Sequence, residues 1–222
     1  MRILSTRLRI LPAVLLLTLP ACGSSEQAET AEAPTGDTTT QVTPGAAVTS
    51  DMECFVRGAT MAEAANRASP VGQVTFAVAG EEGLFCYGRP SANDRVVMGE
   101  LVPYGAPWRL GANEATAIHL PVDASVGGVE VEAGSYSLYV VPTESEWTFH
   151  LNEQVERWGI PINADVMAGD IGTFSRPVTA TASMVETFTV SWEAHGAGMG
   201  HLVLEWENTR VEIPVEAHGS GM

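Results

Sequence analysis

Three arginines, Arg89, Arg95 and Arg109, fall within one stretch of a chain that is otherwise acidic, with 27 aspartates and glutamates against 11 basic residues. A guanidinium presents a planar fork of donors suited to carboxylate, phosphate or sugar hydroxyls, and its face stacks on aromatic rings. Tyr104 and Trp108 stand in the same stretch, YGRPSANDRVVMGELVPYGAPWRLGANEAT over residues 87–116, and so does the polar pair Asn113-Glu114. Such a set can hold a small anionic or hydroxyl-rich ligand, a glycan or a peptide carboxylate among them. It can equally pair internally, with Asp94, Glu100 or Glu114 as partners, because a buried guanidinium is tolerated only when matched. Glu114 with Arg109 as electrostatic partner would also suit the general acid or base of an envelope hydrolase or isomerase. Binding module, enzyme and purely structural protein are therefore three readings of one set of residues.

Other chemistries find less to stand on. The chain has no lysine, which removes Schiff-base chemistry, a phosphate-cradling P-loop and Ser-Lys catalysis. There is no G-x-S-x-G elbow. The five histidines lack the close pairings of zinc sites. His195, Met199 and His201 in AHGAGMGH offer the imidazole and thioether that copper accepts, but a glycine-rich loop with surface histidines explains them as simply. No metal and no cofactor are expected. A strongly negative surface repels phosphate backbones, so nucleic acid is not an expected partner.

The segments before the arginine stretch concern location. Arg2, Arg7 and Arg9 precede an apolar run over residues 10–19, about half of the ~20 residues that a bilayer span needs. Residues 1–21 read as a cleavable signal ending at a lipobox, with Cys22 as the lipidated residue of the mature chain. The expected partner is thus a membrane, reached through an N-terminal lipid anchor. The bacterial cell envelope is the expected location, with Gly23 after the cysteine favouring the outer membrane. Residues 22–50 are mostly Ser, Thr, Glu, Ala, Pro and Gly with almost no large apolar side chain, the composition of a disordered tether. Cys54 and Cys86 then form an even pair, read as a disulfide in an oxidising compartment. Two buried free thiols are the alternative.

Thr60-Met-Ala-Glu63 is a capping-box pattern that opens a short helix reaching about Ala68. From Gln73 the apolar period becomes two. Val74, Phe76 and Val78 alternate, the residues from Gly80 to Gly83 turn the chain, and a hairpin returns through Cys86. Residues 129–131 and 136–141 flank Ala133-Gly134 as a second hairpin, and Trp147, Phe149 and Leu151 share one face. Residues 155–158 and 164–167 read as single helical turns. Phe188, Val190 and Trp192 alternate, then Leu202, Leu204 and Trp206, and a turn at Asn208-Thr209 leads into Val211, Ile213 and Val215. The expected fold is all-β, an antiparallel β-sandwich or flattened barrel over residues 51–216, with one short N-terminal helix and minor helical turns. Residues 217–222 read as a frayed tail.

Within the arginine stretch, Tyr87-Gly-Arg-Pro-Ser91, Leu101-Val-Pro-Tyr-Gly105 and Trp108-Arg-Leu-Gly-Ala-Asn-Glu-Ala-Thr116 resemble the motifs of the bacterial family catalogued as domain-of-unknown-function family 2911. Gly134-Ser-Tyr-Ser-Leu138 and Leu202-Val-Leu-Glu-Trp206 are similar to it as well, so the likeness covers nearly the whole folded part. Asn93-Asp94 stands where Lys-Gly is common in that family, and Leu110 where threonine is common. The three arginines, Asn113 and Glu114 keep the pattern. The resemblance implies an exported, often lipid-anchored β-sandwich protein and supplies no catalytic residue.

Overall fold

The computed structural model describes residues 52–196 and 198–218. The signal, Cys22, the tether and residues 219–222 of the tail lie outside the described residues. The first helix, α1 (Met61–Ala64), opens on the expected capping box. Thr60 Oγ1 accepts from the Glu63 amide at 3.2 Å and Glu63 returns a carboxylate oxygen to the Thr60 amide at 2.7 Å. It is shorter than the sequence suggests because Asn66 Nδ2 donates to the Ala62 carbonyl at 2.7 Å. That side chain takes the acceptor that the next turn would need.

Ten strands follow: β1 (Val71–Val78), β2 (Glu81–Gly88), β3 (Thr116–Leu120), β4 (Ala124–Val126), β5 (Val129–Val131), β6 (Gly134–Pro142), β7 (Glu146–Asn152), then after α2 (Ala164–Met167) β8 (Asp170–Pro177), β9 (Thr179–Gly196) and β10 (Met199–Ala217). They form two antiparallel sheets, β1-β2-β3-β6-β7-β8 and β5-β4-β10-β9, which is a β-sandwich and not a closed barrel. The inner faces bury Phe85, Ile118, Val140 and Phe149 from the first sheet against Phe188, Leu204, Trp206 and Ile213 from the second. The period of two along each strand puts these residues on one face.

Several local expectations are corrected. The first hairpin turns at Ala79 and Gly80, both at positive φ, and not across four residues. Ala133-Gly134 is no hairpin turn: β5 pairs with β4 in the second sheet, whereas β6 pairs with β3 and β7 in the first. The chain changes sheets there. Residues 155–158 are not helical; Trp158 instead forms a bridge to Glu114. Asn208-Thr209 does not turn the chain, because β10 runs through it with register shifts around Glu207, whose φ is 56°. The buried positions switch there from even (Leu202, Leu204, Trp206) to odd (Val211, Ile213, Val215). An extra residue in a bulge restores the same face to the core, which a strict two-residue period cannot do. The strand also reaches Ala217, which pairs with Ala124, and the His218 amide donates to the Asp123 carbonyl at 3.0 Å.

Cys54 and Cys86 form a disulfide with Cα atoms 5.6 Å apart. It fastens the segment before α1 to the outer face of the first sheet, where Leu84 and Ala117 complete a small apolar cluster with Met52, Met61 and Val155. Closing a 32-residue separation contributes about 3–4 kcal/mol in the chain-entropy account.

Candidate functional site

The arginine stretch joins β2 to β3 and is bonded to both sheets on the way. The Ala92 amide donates to the Glu186 carbonyl at 2.8 Å and the Phe188 amide to the Pro90 carbonyl at 2.9 Å, both on β9. Trp108 exchanges two backbone bonds with Val140 of β6, at 2.7 and 2.9 Å. The carboxylate of Glu207, carried by the β10 bulge, accepts the Val97 and Met98 amides at 3.3 Å each. The connection is fixed by these bonds to the sandwich together with main-chain bonds of its own, such as the Val102 amide to the Val97 carbonyl at 2.8 Å and the Gly99 amide to the Val102 carbonyl at 2.9 Å.

Its conformation needs unusual backbone. Asn93 and Asp94 have φ of 49° and 59°, the left-handed region that Asn and Asp tolerate best after glycine. Leu110 has φ 54° and is fully buried, and Thr116 Oγ1 donates to its carbonyl at 2.7 Å. A bulky residue in that region costs on the order of 1–3 kcal/mol and persists only where its surroundings hold it. Here the Thr116 bond and the core do so. Gly88 lies against the Ala112 backbone where any Cβ would collide.

Trp108 is anchored by aromatic contacts, with ring centroids 5.9 Å from Trp206, 5.7 Å from Trp147 and 5.5 Å from Phe188. Beside it lies a cavity of about 380 Å³ lined by Arg95, Arg109, Trp108 and Trp206, with walls that include Leu101 and Ile160. Arg95 donates through Nε and Nη2 to the carbonyls of Ala92 and Ser91, at 2.8 and 2.9 Å. Arg109 donates only through Nε, to the Gly111 carbonyl at 3.3 Å. Its stem packs on Gly159, and burial pushes its guanidinium below the usual value. Among the described residues no carboxylate lies within 4.0 Å of Arg89, Arg95 or Arg109. None lines the cavity either. The internal pairing with Asp94, Glu100 or Glu114 considered from the sequence is absent from the described residues.

The structure does not bring the whole sequence set together. Arg89 sits outside the cavity lining, its stem over Gly72 and its buried Nε without a partner. Tyr104 is 39% exposed and packs on Gly99, away from the lining. Asn113, at φ 65°, donates from Nδ2 to the Ser69 carbonyl at 2.8 Å and accepts the Gly159 amide at 2.9 Å. It ties together two segments that form the cavity wall, so its place is behind the site. Glu114 is paired with Arg67 and not with Arg109. Arg67 Nη1 reaches both carboxylate oxygens, at 2.8 and 2.9 Å, and the Arg57 amide adds a third bond at 2.9 Å. A carboxylate engaged in this way anchors the segment around α1 and has no free oxygen turned to the arginine cavity.

Residues that the sequence did not single out also take part. Leu101, Pro107, Ile160 and Trp206 line the cavity. Trp206 reads as core from its alternation, and it is both core and floor. Ile160 is 53% exposed between Gly159 and Pro161, an apolar residue in a turn and the one signal available. A second cavity, of about 480 Å³, lies under the segment before α1. Its charged side chains are the carboxylates Glu53 and Glu156, so it does not gather positive charge. On β6, β7 and β8, Tyr139, His150 and Asn152 all bond the carboxylate of Asp170, at 2.5, 2.9 and 2.8 Å. That cluster is satisfied internally, and burial together with the Asp170 bond pushes the Tyr139 hydroxyl well up. His195 and His201 are ring neighbours at 4.4 Å, and His201 bonds Glu212 at 3.0 Å. Among the described residues no group of three or more His, Cys, Asp or Glu is placed to hold a metal.

A family model described as a protein of unknown function (DUF2911) matches residues 69–215. No curated protein and no solved structure matches the chain.

The placement of Glu114 carries a testable consequence. Glu114→Ala should lower the free energy of unfolding by about 1–3 kcal/mol in urea titration, the cost of stranding partly buried donors. Arg67→Ala should overlap with it in a double-mutant cycle. A loss below about 0.5 kcal/mol would mean that the pair behaves as a surface ion pair.

Proposed function

We propose that this chain, which belongs to the DUF2911 family of proteins of unknown function, is a binding module whose cavity takes a small anionic ligand through Arg95 and Arg109. One observation carries the reading: two guanidinium groups line one cavity, and both are held by main-chain carbonyls, with no carboxylate in its lining. Carbonyl bonds orient a guanidinium without neutralising it. An anion entering the cavity would therefore supply the missing counter-charge in a partly desolvated place, where Coulomb attraction is stronger than in water. A hydroxyl-rich ligand would gain the hydrogen bonds but not the charge. The rigid surroundings, with Trp108 wedged among aromatic rings, keep the ordering cost of binding low. The enzymatic alternative loses its support in Glu114, which is committed to Arg67.

The same proposal places the module in the bacterial envelope, tethered by lipid on Cys22. The basic leader and the Leu19-Pro20-Ala21-Cys22 sequence support it.

Thermal unfolding in the presence of phosphate, citrate, sialic acid, short fatty acids and neutral sugars tests the binding reading. An acid that binds, present at about a hundred times its Kd, stabilises by about 2.7 kcal/mol. That corresponds to a rise of about 5–10 °C in Tm for a domain of this size. The rise should be lost in Arg109→Gln. Equal shifts in both proteins would remove the cavity from consideration. Cells expressing the chain should incorporate an alkyne-labelled palmitate into it, and Cys22→Ser should abolish the label; persistent labelling would place the anchor elsewhere.

A further inference from the structure

The cavity's walls differ from its two cationic heads, and that difference narrows the ligand. Ser69, Arg95 and Arg109 are the polar side chains among its lining apart from the two indoles, and Ser69 alone offers a side-chain acceptor. The Trp206 indole N–H is already spent on the Glu186 carbonyl at 3.1 Å. The rest is proline, aliphatic and aromatic surface, including Leu101, Pro103, Pro107 and Ile160. A sugar presents hydroxyls that each donate as well as accept, and this surface would leave their donors unmatched on desolvation. An aliphatic or aromatic body loses nothing there and gains by leaving water.

The mouth repeats the pattern. Leu101 and Ile160, both in the lining, are exposed by 39% and 53%. Large aliphatic side chains gathered around a concave site mark a surface that is covered in use. Three prolines, Pro90, Pro103 and Pro107, fix the walls, so little chain freedom remains to be lost on binding. A volume of about 380 Å³ holds roughly a dozen heavy atoms at the ~30 Å³ that a water occupies in the liquid.

On the binding reading above, we infer that the natural ligand is an amphiphilic organic acid of about a dozen heavy atoms in all: a carboxylate, met by Arg95 and Arg109, carrying an apolar body that lies along Trp108, Leu101 and Ile160. Two sources share that chemistry, a free medium-chain fatty acid and an acylated apolar amino acid. Because the head is held by charge and the body by exclusion of water, both parts are needed for affinity. Removing either leaves a weaker binder of a different kind.

Calorimetric titration of the full chain, kept free of detergent because alkyl tails would compete, separates these contributions. The probes are octanoate and N-acetyl-leucine for the two sources, 1-octanol for the body alone, gluconate for the head alone, and maltotriose. Octanoate, N-acetyl-leucine or both should bind at least about tenfold tighter than 1-octanol and gluconate. Arg109→Gln should erase the advantage over 1-octanol, and Ile160→Ser should erode the advantage over gluconate. The tighter of the two apolar acids identifies the source. If gluconate binds as well as the apolar acids and depends on Arg109, the amphiphile inference is overturned while the anion-binding reading stands; if neutral maltotriose does so, both are overturned. If the apolar acids bind equally well to Arg109→Gln, they occupy another surface and the inference is overturned too. If no probe binds at millimolar concentration, both readings fall.

Discussion

Charge that is oriented but not neutralised is the constraint on which the rest of this structure turns. Arg95 and Arg109 are bonded to main-chain carbonyls of their own connection, in a chain where acidic residues outnumber basic ones by more than two to one. Carboxylates are plentiful enough to match every arginine, yet among the described residues only Arg67 and Arg210 are paired with them. Arg210 is ringed by Glu193, Glu205 and Glu212, and Arg67 is closed on Glu114. No carboxylate lines the cavity. A partly buried guanidinium without a counter-ion is costly, so the sandwich must hold the surrounding backbone firmly enough to prevent a rearrangement that would bring an acid in.

The sandwich meets that demand with ordinary materials. Backbone bonds from the connection reach β9 and β6, one strand from each sheet, so the connection cannot move without separating from both. The β10 bulge serves twice. It returns Val211, Ile213 and Val215 to the core after a change of phase, and it turns Glu207 toward the amides of Val97 and Met98. One inserted residue thus links core packing to the conformation of the cavity wall. Asn113 plays a similar part between Ser69 and Gly159, while the disulfide and the Arg67–Glu114 pair fasten the segment around α1.

Much of this was legible in the sequence, and the gaps have physical causes. Strands such as β7, with Trp147, Phe149 and Leu151 inward, declare themselves because one face is buried and the other wet. β8 does not. It buries little beyond Phe174 and leaves Ile171 44% exposed, so an edge strand with Gly172 and Pro177 shows no alternation to read. Pairing partners were less readable than strands, since Ala133-Gly134 suits a hairpin turn as well as a crossing between sheets. The arginine cluster was visible as composition, but which arginines share a cavity was not. Spacing along a connection does not say that Arg89 faces away while Arg109 meets Trp108. Glu114 misled for the same reason, because its partner Arg67 is 47 residues distant in the chain and adjacency favoured Arg109.

If Arg109 is truly an unmatched charge held for a ligand, removing it should relieve the free protein. The decisive measurement is the unfolding free energy of Arg109→Met in urea at about 150 mM salt, where distant charges are screened within ~8 Å. Methionine keeps the stem's packing against Gly159 without the charge. The account predicts stability equal to or above that of the unaltered chain, together with loss of acid binding, as expected when a functional group opposes folding. A fall of several kcal/mol, the signature of a broken buried ion pair, would show that Arg109 has a structural partner and that the cavity's charge is already satisfied.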